Sequence, residues 1–228
     1  MIEEKEEDKS KYKIEYLGEK FSKDYKVYKV IVFGTYGVGK TNIINKLMDK
    51  EINQEYEPTL SLDIKSIQVK VNNKIIQIQI WDSYGSDKFV QITPNFFKNT
   101  SIALLVYAIN NKEKSFDELK NWYNILKEHS YKHKIFLIGN KSDLEKEREV
   151  TIEDAEKFKN NYDDIKIFLE TSALNGNNMD KLLDNIAISI YEKDTNDENQ
   201  LDNAIHRERI TLIKKESKKG KKKKKNFC

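Results

Sequence analysis

The chain has 228 residues, with 38% hydrophobic and 35% charged side chains and a formal net charge of +3. This length suits one domain of ordinary size plus extensions, and no apolar run approaches the roughly 20 residues of a membrane span. The single cysteine, Cys228, excludes an internal disulfide and a cysteine-based zinc cluster, and the three scattered histidines disfavour a structural metal. The chain begins with MIEEKEEDKSK, which is acidic and hydrophilic rather than a signal peptide, so we expect a cytosolic protein.

The positive charge belongs to the end of the chain. Residues 204–228 contain 11 Lys or Arg and 2 Asp or Glu, a net charge of +9, whereas the remaining 30 basic and 36 acidic residues give −6. A nucleic-acid-binding domain carries its basic surface on the folded body. The charge distribution therefore disfavours nucleic acid as a partner of the domain.

From about residue 26, short apolar strands alternate with longer amphipathic segments, which is typical of an α/β fold. Six strands are predicted, over residues 26–33, 62–71, 74–82, 101–109, 134–140 and 165–170. Asn72 and Asn73 join the second and third strands as a tight hairpin, whereas the other connections are long enough for helical crossovers. The sheet is therefore predicted to be mostly parallel, with one antiparallel edge strand. Five helices are predicted, over residues 40–49, 89–98, 115–129, 151–160 and 178–193, with Ser115 and Thr151 as N-caps.

The two ends of the chain differ in sequence pattern and composition from the predicted domain, residues 26–193. In the extension at residues 1–25, the alternation in YKIEYL is compatible with docking onto the domain, and a disordered arm fits the composition equally well. Residues 194–203 form a polar linker, and the lysine-rich sequence beyond it is of low complexity. Residues 194–228 are therefore predicted to form a flexible tail.

The first strand ends in GTYGVGKT, residues 34–41, which matches G-x-x-x-x-G-K-[ST] between a strand and a helix. Gly34, Gly37 and Gly39 allow the backbone to curl so that its N–H groups face a phosphate chain, and the helix N-terminus adds partial positive charge. Lys40 is predicted to reach the β- and γ-phosphates and Thr41 to bind Mg²⁺. The alternative is a glycine-rich turn without a ligand, which the strand and helix on either side disfavour.

A second motif, NKSD at residues 140–143, follows another strand and precedes ETSA at residues 170–173 by one strand. The Asp143 carboxylate can accept from the two donors on the Watson–Crick edge of guanine, where adenine presents an acceptor. Asn140 is predicted to serve the Hoogsteen edge and the Lys141 stem to pack on the ring. Such buried polar partners reject a wrong base strongly, because a mismatch leaves them unpaired.

Two further segments predict sensing of the third phosphate. Asp82 and Gly85 form D-x-x-G at the end of a strand, with Asp82 holding Mg²⁺ and the Gly85 N–H contacting the γ-phosphate. Thr59, in EYEPTLSLD, is predicted to complete the Mg²⁺ shell only when that phosphate is present. For Thr59, an ordinary surface threonine is the alternative.

Taken together, these motifs resemble those of the Ras superfamily of small GTPases, and residues 26–193 are most similar to the Rab family. The similar stretches are WDSYGSDKFVQIT, ALLVYAIN, KSFDELKNW, IFLIGNKSDL and FLETSALNG. The resemblance implies a six-stranded sheet with five helices, GTP and GDP binding with Mg²⁺, and GTP hydrolysis. It also implies a monomer that meets exchange factors, GTPase-activating proteins and effectors on intracellular membranes.

The resemblance also implies roles for individual residues. Lys40, Thr59 and Gly85 are the expected catalytic groups, and Thr41, Thr59 and Asp82 the expected metal ligands. The expected nucleotide-binding residues are Gly34, Tyr36, Gly37, Val38, Gly39, Lys40, Thr41, Asn42, Tyr56, Pro58, Thr59, Gly85, Asn140, Lys141, Asp143, Ser172, Ala173 and Leu174.

This sequence departs from the family pattern around the reacting phosphate. Ser86 stands where the family has the glutamine that orients the attacking water, and Tyr84 and Tyr36 replace small residues. These changes predict very slow unaided hydrolysis. A GTP-binding scaffold without useful hydrolysis is the alternative, and a P-loop ATPase or kinase is disfavoured by NKSD.

Two further departures concern the affinity for the nucleotide. Ile52 replaces an aromatic residue that packs against guanine in relatives, and Leu174 replaces the lysine of the S-A-K element, which together predict faster nucleotide release. Ser61 replaces a glycine common in Rab proteins.

The tail combines five consecutive lysines, residues 221–225, with Cys228 at the end of the sequence. A polybasic segment and a lipid together suffice for stable attachment to an anionic membrane. We therefore expect lipidation of Cys228, although NFC is neither C-a-a-X nor the paired-cysteine ending of Rab proteins. The alternatives are a solvated basic tail and one that binds nucleic acid or a nuclear import receptor.

Overall fold

The computed structural model describes residues 11–49, 63–83, 94–129, 134–198 and 200. The chain divides after Ile188 into two compact units. In the second unit, residues 189–198 and 200 are helical. Within the described ranges, no helix is long and apolar enough to cross a bilayer.

The first unit is built on a seven-stranded sheet. Its strands are β1 (Ile14–Glu19), β2 (Val27–Phe33), β3 (Asp63–Val71), β4 (Lys74–Asp82), β5 (Thr100–Ala108), β6 (Lys134–Asn140) and β7 (Ile165–Glu170). They lie in the order β1-β3-β4-β2-β5-β6-β7, with β2 parallel to β4 and β5, and β5, β6 and β7 parallel to one another. The predicted α/β class and the mostly parallel sheet are thus confirmed.

The prediction of six strands needs one correction, because β1 adds a seventh. It pairs antiparallel with β3 and takes the edge position that was expected for β3. The Asn72–Asn73 hairpin is present, with β3 antiparallel to β4, Val71 opposite Lys74, and Asn72 at a φ of 54°. The extension at residues 1–25 therefore contributes a strand to the sheet, and the docking interpretation holds for residues 14–19.

The helices of the first unit are α1 (Lys40–Leu47), α2 (Pro94–Phe97), α3 (Leu119–His129), α4 (Ile152–Asn160) and α5 (residues 179–188). A 3₁₀ segment at Ser142–Glu147 was not predicted. Of the predicted helix 89–98, residues 89–93 lie outside the described ranges. Thr151 caps α4 as predicted, because its hydroxyl accepts from the Asp154 N–H at 3.0 Å.

The prediction that Ser115 begins a helix as its N-cap was wrong. A π-helical turn, Lys112–Phe116, precedes α3, and its N-cap is Asn111, whose side chain accepts from the Lys114 N–H. Ser115 is buried instead, and its hydroxyl accepts from the Ala108 N–H at 3.1 Å and donates to the Asn111 carbonyl. Its role is thus to fix the end of β5, because the pairing of β5 with β2 ends at Leu105 and leaves Ala108 beside β6 alone.

The core explains why the ends of the central strands are held firmly. Apolar residues of β2, β5 and β6 are almost completely buried on both faces of the sheet, as is typical of parallel strands. On one face, the Phe33 ring packs edge-on against Phe97 of α2 and Trp122 of α3. Because β2, β4, β6 and β7 run in the same direction, their carboxyl ends meet at one edge of the sheet, where open α/β sheets bind ligands.

A buried glutamine on β4 forms hydrogen bonds to the segment that connects β1 to β2. The Gln77 amide accepts from the Ser22 N–H at 2.7 Å and donates to the Ser22 carbonyl at 3.0 Å. Gln68 of β3 donates to the same Gln77 oxygen at 3.0 Å. All six residues of β1 are half-buried or exposed, so apolar burial contributes little to holding this strand. The strand ladder and the hydrogen bonds of the Gln77 amide are therefore the main interactions that hold β1 on the sheet.

We expect Gln77→Leu to loosen β1 without unfolding the domain, because Ser22 and Gln68 lose their partners, at about 1–3 kcal/mol for a group left unsatisfied. Amide hydrogen exchange across residues 14–22 should become faster. Gln79→Leu, at a half-buried position two residues along the same strand, is the matched control. Equal exchange in the two variants would show that the ladder alone holds β1.

Candidate nucleotide-binding site

The loop at residues 34–39 joins β2 to α1 and lies against the ends of β5 and β6. A Cβ atom at Gly34 would lie 2.2 Å from the Val106 carbonyl oxygen, and one at Gly39 would lie 2.4 Å from the Asn140 amide nitrogen. Gly34, Gly37 and Gly39 have φ angles of 140°, 76° and 93°, which side-chain-bearing residues rarely adopt. Glycine is therefore required here both by close approach and by conformation.

Lys40 begins α1 and is buried. Its Nζ atom donates to the carbonyl oxygens of Gly34 at 2.8 Å and Thr35 at 2.9 Å, so its side chain lies over the loop. A cation in the first turn of a helix opposes the helix dipole, and the Gly39 N-cap supplies no side-chain acceptor. The partial charges at this end of α1 are thus suited to an anion.

Thr41 and Asp82 meet beside this loop. The Thr41 hydroxyl donates to Asp82 Oδ2 at 2.6 Å, and Asp82 is only 3% exposed. Within the described ranges, the other carboxylate oxygen, Oδ1, is buried and has no hydrogen-bond partner. Burial raises the pKa of Asp82, and this effect is opposed by the Thr41 hydrogen bond and by Lys40. Hydroxyl and carboxylate oxygens are the donors that Mg²⁺ prefers, so these two side chains fit a magnesium ion.

Asn140 links the phosphate loop to the loop after β7. Its amide nitrogen donates to the Val38 carbonyl at 2.8 Å, and its amide oxygen accepts from the Ala173 N–H at 3.2 Å and the Thr171 hydroxyl at 3.3 Å. The predicted contact with a base is thus accompanied by a structural role that the motif did not reveal. Asn140 holds the two loops at a fixed separation.

Lys141 and Asp143 follow Asn140 at the same edge. Lys141 has a φ of 67°, and burial lowers the pKa of its half-buried ammonium, with nearby Asp143 opposing the change. Asp143 accepts a hydrogen bond from the Ser172 hydroxyl. The carboxylate is thus anchored by the ETSA segment.

The other predicted site residues divide into two groups. Asn42 continues α1, whereas Tyr36 and Leu174 are largely exposed, at 43% and 51%. The following lie outside the described residues: Ile52, Tyr56, Pro58, Thr59, Ser61, Tyr84, Gly85, Ser86 and Cys228. Among the residues that are described, no group of three His, Cys, Asp or Glu could hold a metal ion. The proposed magnesium therefore depends on the Thr41–Asp82 pair together with its phosphate ligand.

Two side-chain contacts that support the site were not predicted from the sequence. The Trp122 indole N–H of α3 donates to the Thr35 hydroxyl at 3.0 Å, joining α3 to the phosphate loop. Arg148 forms two hydrogen bonds to Glu170, at 2.7 and 2.8 Å, and these raise the pKa of the guanidinium. Glu170 immediately precedes Thr171, so this ion pair fixes the end of β7. The partners are separated by 87 and 22 residues, and no local pattern connects them.

The loop, the buried lysine and the Thr41–Asp82 pair define a P-loop nucleotide-binding protein. Residues 29–192 match the Ras family. The chain is also 34% identical over 164 residues to the Ras-related protein Rab-11B of Dictyostelium discoideum, which covers 72% of this chain and 73% of that protein. The chain therefore belongs to the Ras family of small GTPases, which bind GTP and hydrolyse it to GDP.

The glycine geometry gives a matched pair of variants. Gly37→Ala and Gly39→Ala both place a side chain at positive φ, but a Cβ at Gly37 has no neighbour within 4 Å. Only Gly39→Ala pushes against Asn140, so we expect it to lower the thermal midpoint further and to speed release of a fluorescent GDP analogue at least 10-fold beyond Gly37→Ala. Equal release rates would contradict the role assigned to the Gly39–Asn140 contact.

Proposed function

We propose that this GTPase is a Rab-like switch that uses Mg²⁺ and recruits effectors in its GTP state. Its domain spans residues 26–193, with an extension at 1–25 and a tail at 194–228. The observation that carries the proposal is the buried Thr41–Asp82 pair with its unpaired Oδ1 atom. A static scaffold has no need of a γ-phosphate sensor, which is the role proposed for Thr59 and the Gly85 N–H. The similarity to a Rab-11B protein supports the Rab-like role.

Each proposed role follows from the chemistry of the side chain. The Lys40 ammonium exchanges its two carbonyl partners for phosphate oxygens, and the loop N–H groups donate to the same anion. Thr41 and Asp82 hold Mg²⁺, which neutralises phosphate charge when bound. Asp143 selects guanine, and Asn140 keeps the base and phosphate halves in register. Thr59 and the Gly85 N–H report the third phosphate.

Slow hydrolysis is proposed because the reaction volume lacks its usual water-orienting residue. Ser86 is too short to replace a glutamine from the same backbone position. Tyr36 is 43% exposed on the phosphate loop. We propose that its ring obstructs an incoming catalytic group. These features also favour the second candidate, a GTP-binding scaffold with negligible turnover. Timed single-turnover measurement separates the two, because only the switch converts its GTP.

We expect single-turnover hydrolysis of bound GTP below the range of about 10⁻⁴ to 10⁻³ per second for unaided small GTPases. Chromatography of the released nucleotide reports the base and the turnover together. Ser86→Gln should raise the rate roughly 10- to 100-fold, since positioning the water is the missing step. Ser101→Gln, at a half-buried position near the start of β5 and away from the phosphate loop, is the control and should not accelerate hydrolysis. A parent rate within or above the unaided range would contradict the proposal.

The tail is proposed to attach the protein to the cytosolic face of an intracellular membrane. Each lysine near an anionic surface contributes about 1 kcal/mol, and a lipid on Cys228 adds apolar burial. Exchange factors, GTPase-activating proteins and effectors are the proposed partners there, and the protein is proposed to act as a monomer.

Cys228→Ser should move the protein from the membrane fraction to the soluble fraction of lysed cells, because the polybasic segment alone gives weak, salt-sensitive attachment. Replacing the five lysines 221–225 with glutamine tests the electrostatic part separately. Unchanged membrane recovery of Cys228→Ser would reject lipidation, and a nuclear location would support the import-receptor alternative.

A further inference from the structure

A buried lysine lies at the opposite end of β2 from the phosphate loop. Lys29 is 8% exposed. Its ammonium donates to the carbonyl oxygens of Asn95 at 3.2 Å and Lys98 at 3.3 Å, at the end of α2. Its Nζ atom also lies 3.5 Å from the centre of the Trp81 ring. Two carbonyls and an aromatic face thus receive the charge of this ammonium.

Keeping the Lys29 ammonium charged in this buried position lowers the stability of the folded state. Burial lowers the pKa of Lys29 to about 8, whereas an exposed lysine has a pKa near 10.5. A methionine would fill the same space without the penalty for desolvating an ammonium. The contacts of Lys29 instead join three separate parts of the chain: strand β2, the end of β4 and the end of α2.

The Trp81 ring is the contact closest to the nucleotide site, because Trp81 immediately precedes Asp82. The Trp81 backbone pairs with Ile31 of β2 and Ile64 of β3. Its indole N–H is buried and has no hydrogen-bond partner in the described part of the chain. No hydrogen bond there orients the ring, which packs against the core and has the Lys29 ammonium against its face. A cation is attracted to the negative face of a tryptophan ring, so this contact favours the ring orientation in which the half-buried Trp81 faces the ammonium.

We propose that Lys29 is a positioning residue that acts through Trp81 to hold the Asp82 carboxylate in its magnesium-binding place. The inference rests on the magnesium site proposed at Thr41 and Asp82. Groups that orient a metal ligand without touching the metal typically change metal affinity 10- to 100-fold when removed. Trp81 and Asp82 are consecutive residues of β4 whose side chains face opposite sides of the sheet, so Lys29 acts on Asp82 through the strand backbone that the two residues share.

The test is the release of a fluorescent GDP analogue from the full chain as a function of free Mg²⁺. For Lys29→Met, the Mg²⁺ concentration giving half-maximal retention should rise at least 10-fold. Lys26→Met is the matched control, because it removes an equal charge from an exposed lysine whose Nζ lies 5.1 Å from the Tyr28 ring. It should leave the Mg²⁺ dependence within 2-fold of the parent.

Trp81→Phe keeps an aromatic face and leaves the two carbonyl bonds of Lys29 available. It should shift the Mg²⁺ dependence in the same direction by a smaller factor, and the double variant should show less than the product of the two single effects. Should Lys29→Met fail to fold, Trp81→Phe carries the test. Thermal unfolding of every variant is measured in parallel, because a purely structural lysine lowers the midpoint without changing the Mg²⁺ dependence.

The outcomes separate the two proposals. If GDP retention by the parent protein does not depend on Mg²⁺, the proposed metal site fails. If the parent depends on Mg²⁺ and neither Lys29→Met nor Trp81→Phe shifts that dependence, the role of Lys29 is overturned. Multiplicative effects of the two substitutions would show that Lys29 does not act through Trp81.

Discussion

The hydrogen bonds of the Asn140 amide are the constraint on which the rest of the site depends. They connect Val38 in the phosphate loop with Thr171 and Ala173 after β7. The amide is buried, so each bond lost leaves a polar group unsatisfied at about 1–3 kcal/mol. The same contact explains Gly39, since any side chain there would occupy the position of the amide nitrogen. One side chain thus sets the distance between the phosphate loop and the loop after β7.

The electrostatics of the site favour a ligand over stability of the empty fold. The pKa of Asp82 is raised above its unfolded value, so the folded state binds more protons than the unfolded state between the two values. Stability therefore falls as the pH rises through that window, because ionising the buried carboxyl costs more in the folded state than in the unfolded state. The lowered pKa of Lys29 acts with the opposite pH dependence: stability rises between about pH 8 and 10.5, where the unfolded chain holds more protons. Burial thus disfavours the charged form of both side chains.

The sequence was most informative where function requires local patterns. GTYGVGKT needs a strand before it and a helix after it, so its place at the edge of the sheet followed from the motif. β1 could not be settled in the same way, because YKIEYL alternates weakly and its partner strand lies about 50 residues away. Ser115 looked like an N-cap in isolation, but burial against β5 gave its hydroxyl better partners. Lys29 looked like an ordinary polar residue of a strand, because its contacts are 52 to 69 residues distant.

The added strand changes which part of the domain is open to partners. β1 occupies the outer hydrogen-bonding groups of β3, so among the described residues the edge strand on this side of the sheet is β1, with β7 at the other side. That edge is poorly suited to pairing with another strand, because its register shifts between Tyr16 and Gly18, and Gly18 has a φ of 93°. Bulges and charged side chains are the common means by which proteins protect sheet edges, and Glu15 and Glu19 supply the charge. The Gln77 amide on β4 holds the segment that connects β1 to β2, so this buried side chain keeps the protected edge strand in place.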